Sequence, residues 1–223
     1  MSFNSRQYFG WHTLLWSIPI FALWWSAVVP VLLPSFAKPV GFAISQWFER
    51  ERVELKLTPD GKWNIYTKIL LKPQPKDAKN PFVLNMQVKT PTVFTIGLPL
   101  LWIFLLAVPG ETLKRKLWHL LLGSAILIPS ITLSLWLEVF RHVAQLMIGD
   151  DVGEILVTEG LYQAVHPYST TVISLVTLLV RLSVYMNFVV IPVFIMYLLH
   201  RDFIRATILA NLLHGFKQQA LEK

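Results

Sequence analysis

The run "WHTLLWSIPIFALWWSAVVPVLL", Trp11 to Leu33, carries no Asp, Glu, Lys or Arg. About 20 such residues suffice to cross a hydrocarbon core. Inside that core the backbone must satisfy its own hydrogen bonds, which only helices and closed barrels achieve. The run is therefore a membrane-crossing helix. It is too long and too rich in tryptophan for a cleavable signal peptide, whose apolar region is shorter and ends at small residues. It predicts a retained anchor, bent at Pro19 and Pro30.

Three more apolar runs follow: Thr92–Gly110, Leu117–Phe140, and a stretch within Val172–Leu199. Composition agrees, since only 15% of the residues are charged where a soluble domain has about 25%. The expected fold class is an α-helical integral membrane protein. It has about four transmembrane helices and a small extracytoplasmic three-stranded antiparallel β segment.

That β segment is read from "RVELKLTPDGKWNIYTKILL", residues 52–71. Val53, Leu55 and Leu57 alternate with polar residues, Pro59-Asp60-Gly61 signals a turn, and Trp63, Ile65, Thr67 and Ile69 line one face. A third alternating run, "FVLNMQVK" (Phe82–Lys89), follows the connector "LKPQPKDAKNP". Before the sheet, Val40, Ile44, Trp47 and Phe48 fall at helical spacing, which predicts a short helix in the membrane interface. Three strands are near the lower limit of independent stability, so the sheet is expected to rest on that helix, on the membrane or on a partner.

The resulting organisation is a cytoplasmic segment and first span (1–33), an extracytoplasmic interfacial helix and sheet (34–91), and the second and third spans joined by a basic loop (92–140). An extracytoplasmic polar segment (141–171), a fourth span (172–199) and a cytoplasmic amphipathic tail (200–223) complete it. Lys114, Arg115 and Lys116 bunch in one short loop, and Arg201 and Arg205 follow the last span. Positive residues beside spans favour the cytoplasm, which places both termini there. The expected location is a bacterial inner membrane, crossed several times. The formal net charge of +7 then reads as contact with anionic lipid. No basic face with interleaved aromatics suggests nucleic acid as a partner.

Candidate chemistry is sparse. The absence of cysteine excludes disulfides, thiolate metal sites and a cysteine nucleophile. Glu138, Arg141 and His142 end the third span, and Arg181 enters the fourth from the same side. Intramembrane charges normally find partners, so Arg181 is expected to pair with Glu138 in a polar cluster on the periplasmic side with Arg141 and His142, lining a pocket or locking two helices, the alternative being an Arg181 that snorkels to the headgroups. Tyr185 and Asn187 are candidates for inter-helix contact. His12, His119, His200 and His214 are scattered near predicted cytoplasmic interfaces, which predicts no metal site and no cofactor. Ser124 in "GSA" has His119 on its own helix, but a serine nucleophile also needs an oxyanion hole, and no catalytic residues are assigned.

The stretch "KTPTVFTIGLPLLWIFLLAVPGETLKRKLWHLLLGSAILIPSITLSLWLEVFRHVAQLM", residues 89–147, resembles the exosortase H-associated membrane protein family of Gram-negative bacteria. The likeness lies in Pro91 followed by Gly97-Leu98-Pro99-Leu100, the basic loop, and a third span running into a polar helix. The resemblance implies an accessory of a protein-sorting system that contacts an exosortase or its substrates through the periplasmic segment. The exosortases themselves use a cysteine with arginine and histidine, and this chain has no cysteine. Two alternatives stand beside it: a subunit of another envelope assembly (pilus, secretion or polysaccharide complex), and a membrane enzyme with a periplasmic-side polar site.

Overall fold

A computed structural model describes residues 5–48, 53–58, 62–71, 83–88, 91–146, 152–158, 161–164 and 168–204. The Pro59-Asp60-Gly61 turn, the 72–82 connector, Asp150, Asp151, Glu159, His166 and the tail from Arg205 onward lie outside them. The chain folds as two compact units. One gathers residues 1–26, 95–129 and 186–223, and the other residues 27–94 and 130–185.

Three helices are long and apolar enough to cross a membrane: Tyr8–Trp47, Leu113–Gln145 and Thr170–Leu199. Only 33%, 28% and 22% of their most apolar windows are buried by protein, so most of each apolar surface faces outward, as a lipid solvent requires. Hydroxyls on these helices turn back onto their own backbones. Thr13, Ser26, Ser35 and Ser134 donate to carbonyls one turn earlier at 2.7–3.0 Å, which removes polar groups from contact with lipid.

The first helix corrects the expected separation between anchor and interfacial helix. α1 (Ser5–Leu23) passes through a wide π turn at Trp24–Val28 directly into α2 (Val29–Trp47). Pro30 sits at the start of α2, where its ring would clash with the carbonyl of Ser26 in a regular helix. The wider turn relieves that clash and keeps the rod unbroken. The same device recurs where α5 (Thr170–Tyr185) meets α6 (Ile191–Leu199) through a π turn at Met186–Val190, just before Pro192. A short α7 (Arg201–Ile204) follows.

The expected second span is shorter than the others. Pro91–Thr95 forms a 3-10 turn and α3 runs only from Gly97 to Ala107. α3 is apolar all round, and Leu98, Leu101, Ile103 and Leu105 are buried, the pattern of a helix wrapped by protein rather than lipid. Its turn into α4 (Leu113–Leu146) uses Gly110 at a φ of 78°, a conformation that a side chain disfavours. At its other end Gly97 meets the π turn of the last helix. A Cβ on Gly97 would lie 1.9 Å from the Asn187 carbonyl oxygen. Only the absence of a side chain lets the two backbones pass this closely.

The second unit carries the sheet. β1 (Glu54–Leu57), β2 (Trp63–Leu71) and β3 (Val83–Val88) form the expected three antiparallel strands, with Leu57 opposite Trp63 and Trp63 opposite Val88. Trp63, Ile65 and Thr67 are buried on one face while Tyr66 is exposed, as alternation requires. The sheet is larger than the sequence indicated. β4 (Val152–Thr158) pairs with the far end of β2 through Ile69–Ile155, and β5 (Leu161–Ala164) pairs with β4. β3 thus flanks one side of β2, while β1 and then β4 occupy successive stretches of the other. The sheet rests on α2: Gly41 allows the Leu55 side chain to within 3.4 Å of where a Cβ would stand. Phe36, Val40, Ile44, Phe48 and Val53 are buried with Trp63 and Ile65.

Gly97→Ala is expected to lower stability by about 1–3 kcal/mol through overpacking against rigid backbone, read as a lower unfolding temperature in detergent micelles. Gly10→Ala is the control, since nothing lies within 4 Å of its added Cβ, and it should leave the transition unchanged or raise it.

Candidate functional site

The polar end of α4 is built by helical spacing. Positions three and four residues apart share a helix face, which stacks Glu138, Arg141, His142 and Gln145. Arg141 grips the Glu138 carboxylate with two donors, Nε to Oε2 at 2.9 Å and Nη2 to Oε1 at 2.7 Å. Its Nη1 donates to Gln145 Oε1 at 3.0 Å, and His142 Nδ1 lies 2.8 Å from the Glu138 carbonyl oxygen. Glu138 is buried. A bidentate arginine fork is the geometry that best compensates a desolvated carboxylate.

The expected pairing of Arg181 with Glu138 is corrected by this arrangement. Arg141, on the same helix, already occupies both carboxylate oxygens. Arg181 is exposed and makes no ion pair among the described residues. An exposed arginine within a crossing helix extends its charged end toward the headgroups. The cluster is therefore Glu138, Arg141, His142 and Gln145, and Gln145 is the member that sequence reasoning missed. Of the two inter-helix candidates, Asn187 is 1% exposed while Tyr185 is 68% exposed.

Around this end of α4 lies a cluster of aromatic rings. Phe140 packs against Trp47, Phe48, Trp136 and Tyr168 with ring centroids 5.3–6.0 Å apart. Trp47 also meets Trp136 edge-on at 5.8 Å. Aromatic residues concentrate where hydrocarbon gives way to headgroups. The rings join the end of α2, the end of α4 and the approach to α5, and Phe140 is the hub. The hydrophobic pattern of the third span gave no signal that this one phenylalanine would bridge three elements.

A second polar group belongs to the other unit and was not foreseen as a group. Glu111, in the turn before α4, places Oε2 3.3 Å from His119 Nδ1 and Oε1 3.4 Å from His200 Nδ1. The two imidazoles stand edge to face, 4.7 Å apart. Arg115 Nε approaches Glu111 Oε1 at 3.3 Å, and Lys116 Nζ donates to the Leu106 carbonyl at 2.6 Å. Burial pushes His200, just past the end of the last helix, down to about 4 against the pull of the Glu111 carboxylate. The distance between His119 and His200 along the chain hid this convergence.

His119 is thus directed at Glu111 rather than at Ser124. The Ser124 hydroxyl instead accepts a hydrogen bond from Trp102 Nε1 at 2.8 Å. Neither geometry assembles a serine nucleophile with its base.

Apolar rods with outward-facing side chains define an integral membrane protein of the multi-helix kind. A family model described as exosortase H-associated membrane protein matches residues 3–203, and the chain belongs to that family. The match extends the likeness seen in residues 89–147 to nearly the whole chain. No curated protein and no solved structure matches the chain.

Arg141→Leu alone strands a buried carboxylate and is expected to cost about 3–5 kcal/mol. The double variant E138L/R141L should recover most of that loss, because no unpaired charge remains. Thermal unfolding of the wild type, the single variant and the double variant in one detergent measures the difference.

Proposed function

We propose that this protein is a non-catalytic accessory of an exosortase-type sorting system in a bacterial inner membrane. On this reading its sheet meets the exosortase or a sorted substrate on the periplasmic side. The family membership supports association with an exosortase. The observation that carries the reading further is the sheet itself. Among the described residues, β3 and β5 each pair on one side only, and an open strand edge can accept an extended peptide through main-chain hydrogen bonds. β1 is less inviting: an exposed Lys56–Glu54 pair at 2.7 Å lies along it, and charge on an edge strand discourages pairing.

The proposed topology has four crossings and both termini in the cytoplasm. The 3-10 turn and α3 supply the fourth crossing. Five residues at about 2 Å and eleven at about 1.5 Å together reach about 26 Å. That falls short of the roughly 30 Å hydrocarbon core, which a helix wrapped by protein tolerates more readily than one facing lipid. The basic residues Lys114–Lys116, in the first turn of α4, then lie inside, and the sheet and the Glu138 cluster lie outside. Lipid is the remaining partner, covering exposed Leu121, Leu133, Leu175 and Leu178.

Two measurements check this reading. A photo-crosslinking residue at Gln87, exposed on β3, should capture a protein partner in native membranes that mass spectrometry identifies as an exosortase or a sorting substrate. The same probe at Leu178 should capture none. Equal capture at the two positions contradicts the proposal. Reporter fusions at Pro75 and Thr112 should report opposite sides of the membrane, and agreement between them removes the fourth crossing.

A further inference from the structure

The geometry points to a divalent metal site of the zinc type, formed by Glu111, His119 and His200. These three residues offer one ligand atom each, all within 4.8 Å of one another. His119 Nδ1 stands 3.3 Å from Glu111 Oε2, the edge of about 3.3 Å expected for a tetrahedron with metal–ligand bonds near 2.0 Å, and His200 Nδ1 lies 3.4 Å from the other carboxylate oxygen, Oε1. Two imidazoles and one carboxylate are the donors that zinc and similar first-row ions accept, and three protein ligands leave a position open.

A second observation independently indicates a missing ligand. Glu111 Oε2, His119 Nδ1 and His200 Nε2 are buried, and none has a hydrogen bond of acceptable geometry. The His200 side chain is only 3% exposed and those of His119 and Glu111 10% and 11%. One buried unsatisfied polar atom costs about 1–3 kcal/mol, and a shared cation would satisfy Glu111 Oε2 and His119 Nδ1, which stand 3.3 Å apart, with His200 as the third ligand. The nearby cations do not close the site. Arg115 is 65% exposed and can remain outside as the partner that orients the carboxylate, a usual arrangement around metal ligands. Lys116 is held by the Leu106 carbonyl.

Such an ion would join the turn before α4, the first turns of α4 and the end of the last helix. It would fix that end of the first unit without chemistry of its own.

The test uses the full chain, purified in detergent without a histidine tag, stripped with chelator and titrated with Co2+ and then Zn2+. The expected result is one equivalent of Co2+ with visible ligand-field bands, displaced by Zn2+, and an unfolding temperature that rises with added Zn2+. Glu111→Gln, His119→Gln and His200→Gln should each weaken binding at least tenfold, while His142→Gln, which alters an imidazole outside the site, keeps it. Circular dichroism confirms that each variant is folded. Wild-type protein that binds no stoichiometric ion, or folded variants that bind as wild type does, would overturn the assignment. The wild-type titration decides the matter alone if a variant fails to fold.

Discussion

Helix length against bilayer thickness is the constraint on which the rest of this structure depends. The Tyr8–Trp47 rod has 40 residues and Leu113–Gln145 has 33, while about 20 cross the hydrocarbon. Both rods therefore carry a surplus, and a surplus of apolar helix is stable in water only under a protein cover. Large exposed apolar side chains on α4 run from Leu113 to Leu133 and then cease, a distance of about 30 Å at 1.5 Å per residue. Beyond Leu133 the apolar residues Leu135, Val139, Phe140 and Val143 are buried. The polar face there carries the Glu138–Arg141 pair.

The surplus of α2 explains the sheet. A few strands alone are marginal, but a helix end bearing Val40, Ile44 and Phe48 supplies the second layer they need. Gly41 makes the contact close enough for β1 to settle. The continuous rod requires that Pro30 not break it, which the π turn at Trp24–Val28 ensures. Local backbone irregularity, membrane crossing and sheet support are thus one connected design.

Much of this was legible in the sequence, and the parts that were not have identifiable causes. Alternation at Trp63, Ile65 and Thr67 correctly marked the buried face of β2, because a period of two fits a half-buried strand and does not fit a helix. The strands at Val152–Thr158 and Leu161–Ala164 show in the sequence only as a polar segment. The pairing of β4 with β2 is long-range, and no local pattern encodes it; β5 joins the sheet through β4 alone. Pro34 does not end the first helix: it lies inside α2, which runs on to Trp47. Pairing Glu138 with Arg181 instead of Arg141 gives too much weight to depth in the membrane and too little to the three-residue spacing on one helix. Glu111, His119 and His200 each look ordinary along the chain; only the fold brings them together.

The central claim is that lipid covers α4 only as far as about Leu133 and that its remaining turns stand in an aqueous, protein-covered layer. The chain contains no cysteine, so a single introduced cysteine reports on one position alone. Cysteines at Leu121, Leu133, Arg141 and Gln145, challenged in native membranes with a water-soluble maleimide accessible to both sides, measure that boundary directly. Protection is expected at Leu121 and labelling at Gln145, with the change falling between Leu133 and Arg141. Uniform protection through Gln145, or labelling at Leu121 equal to that at Gln145, would contradict it.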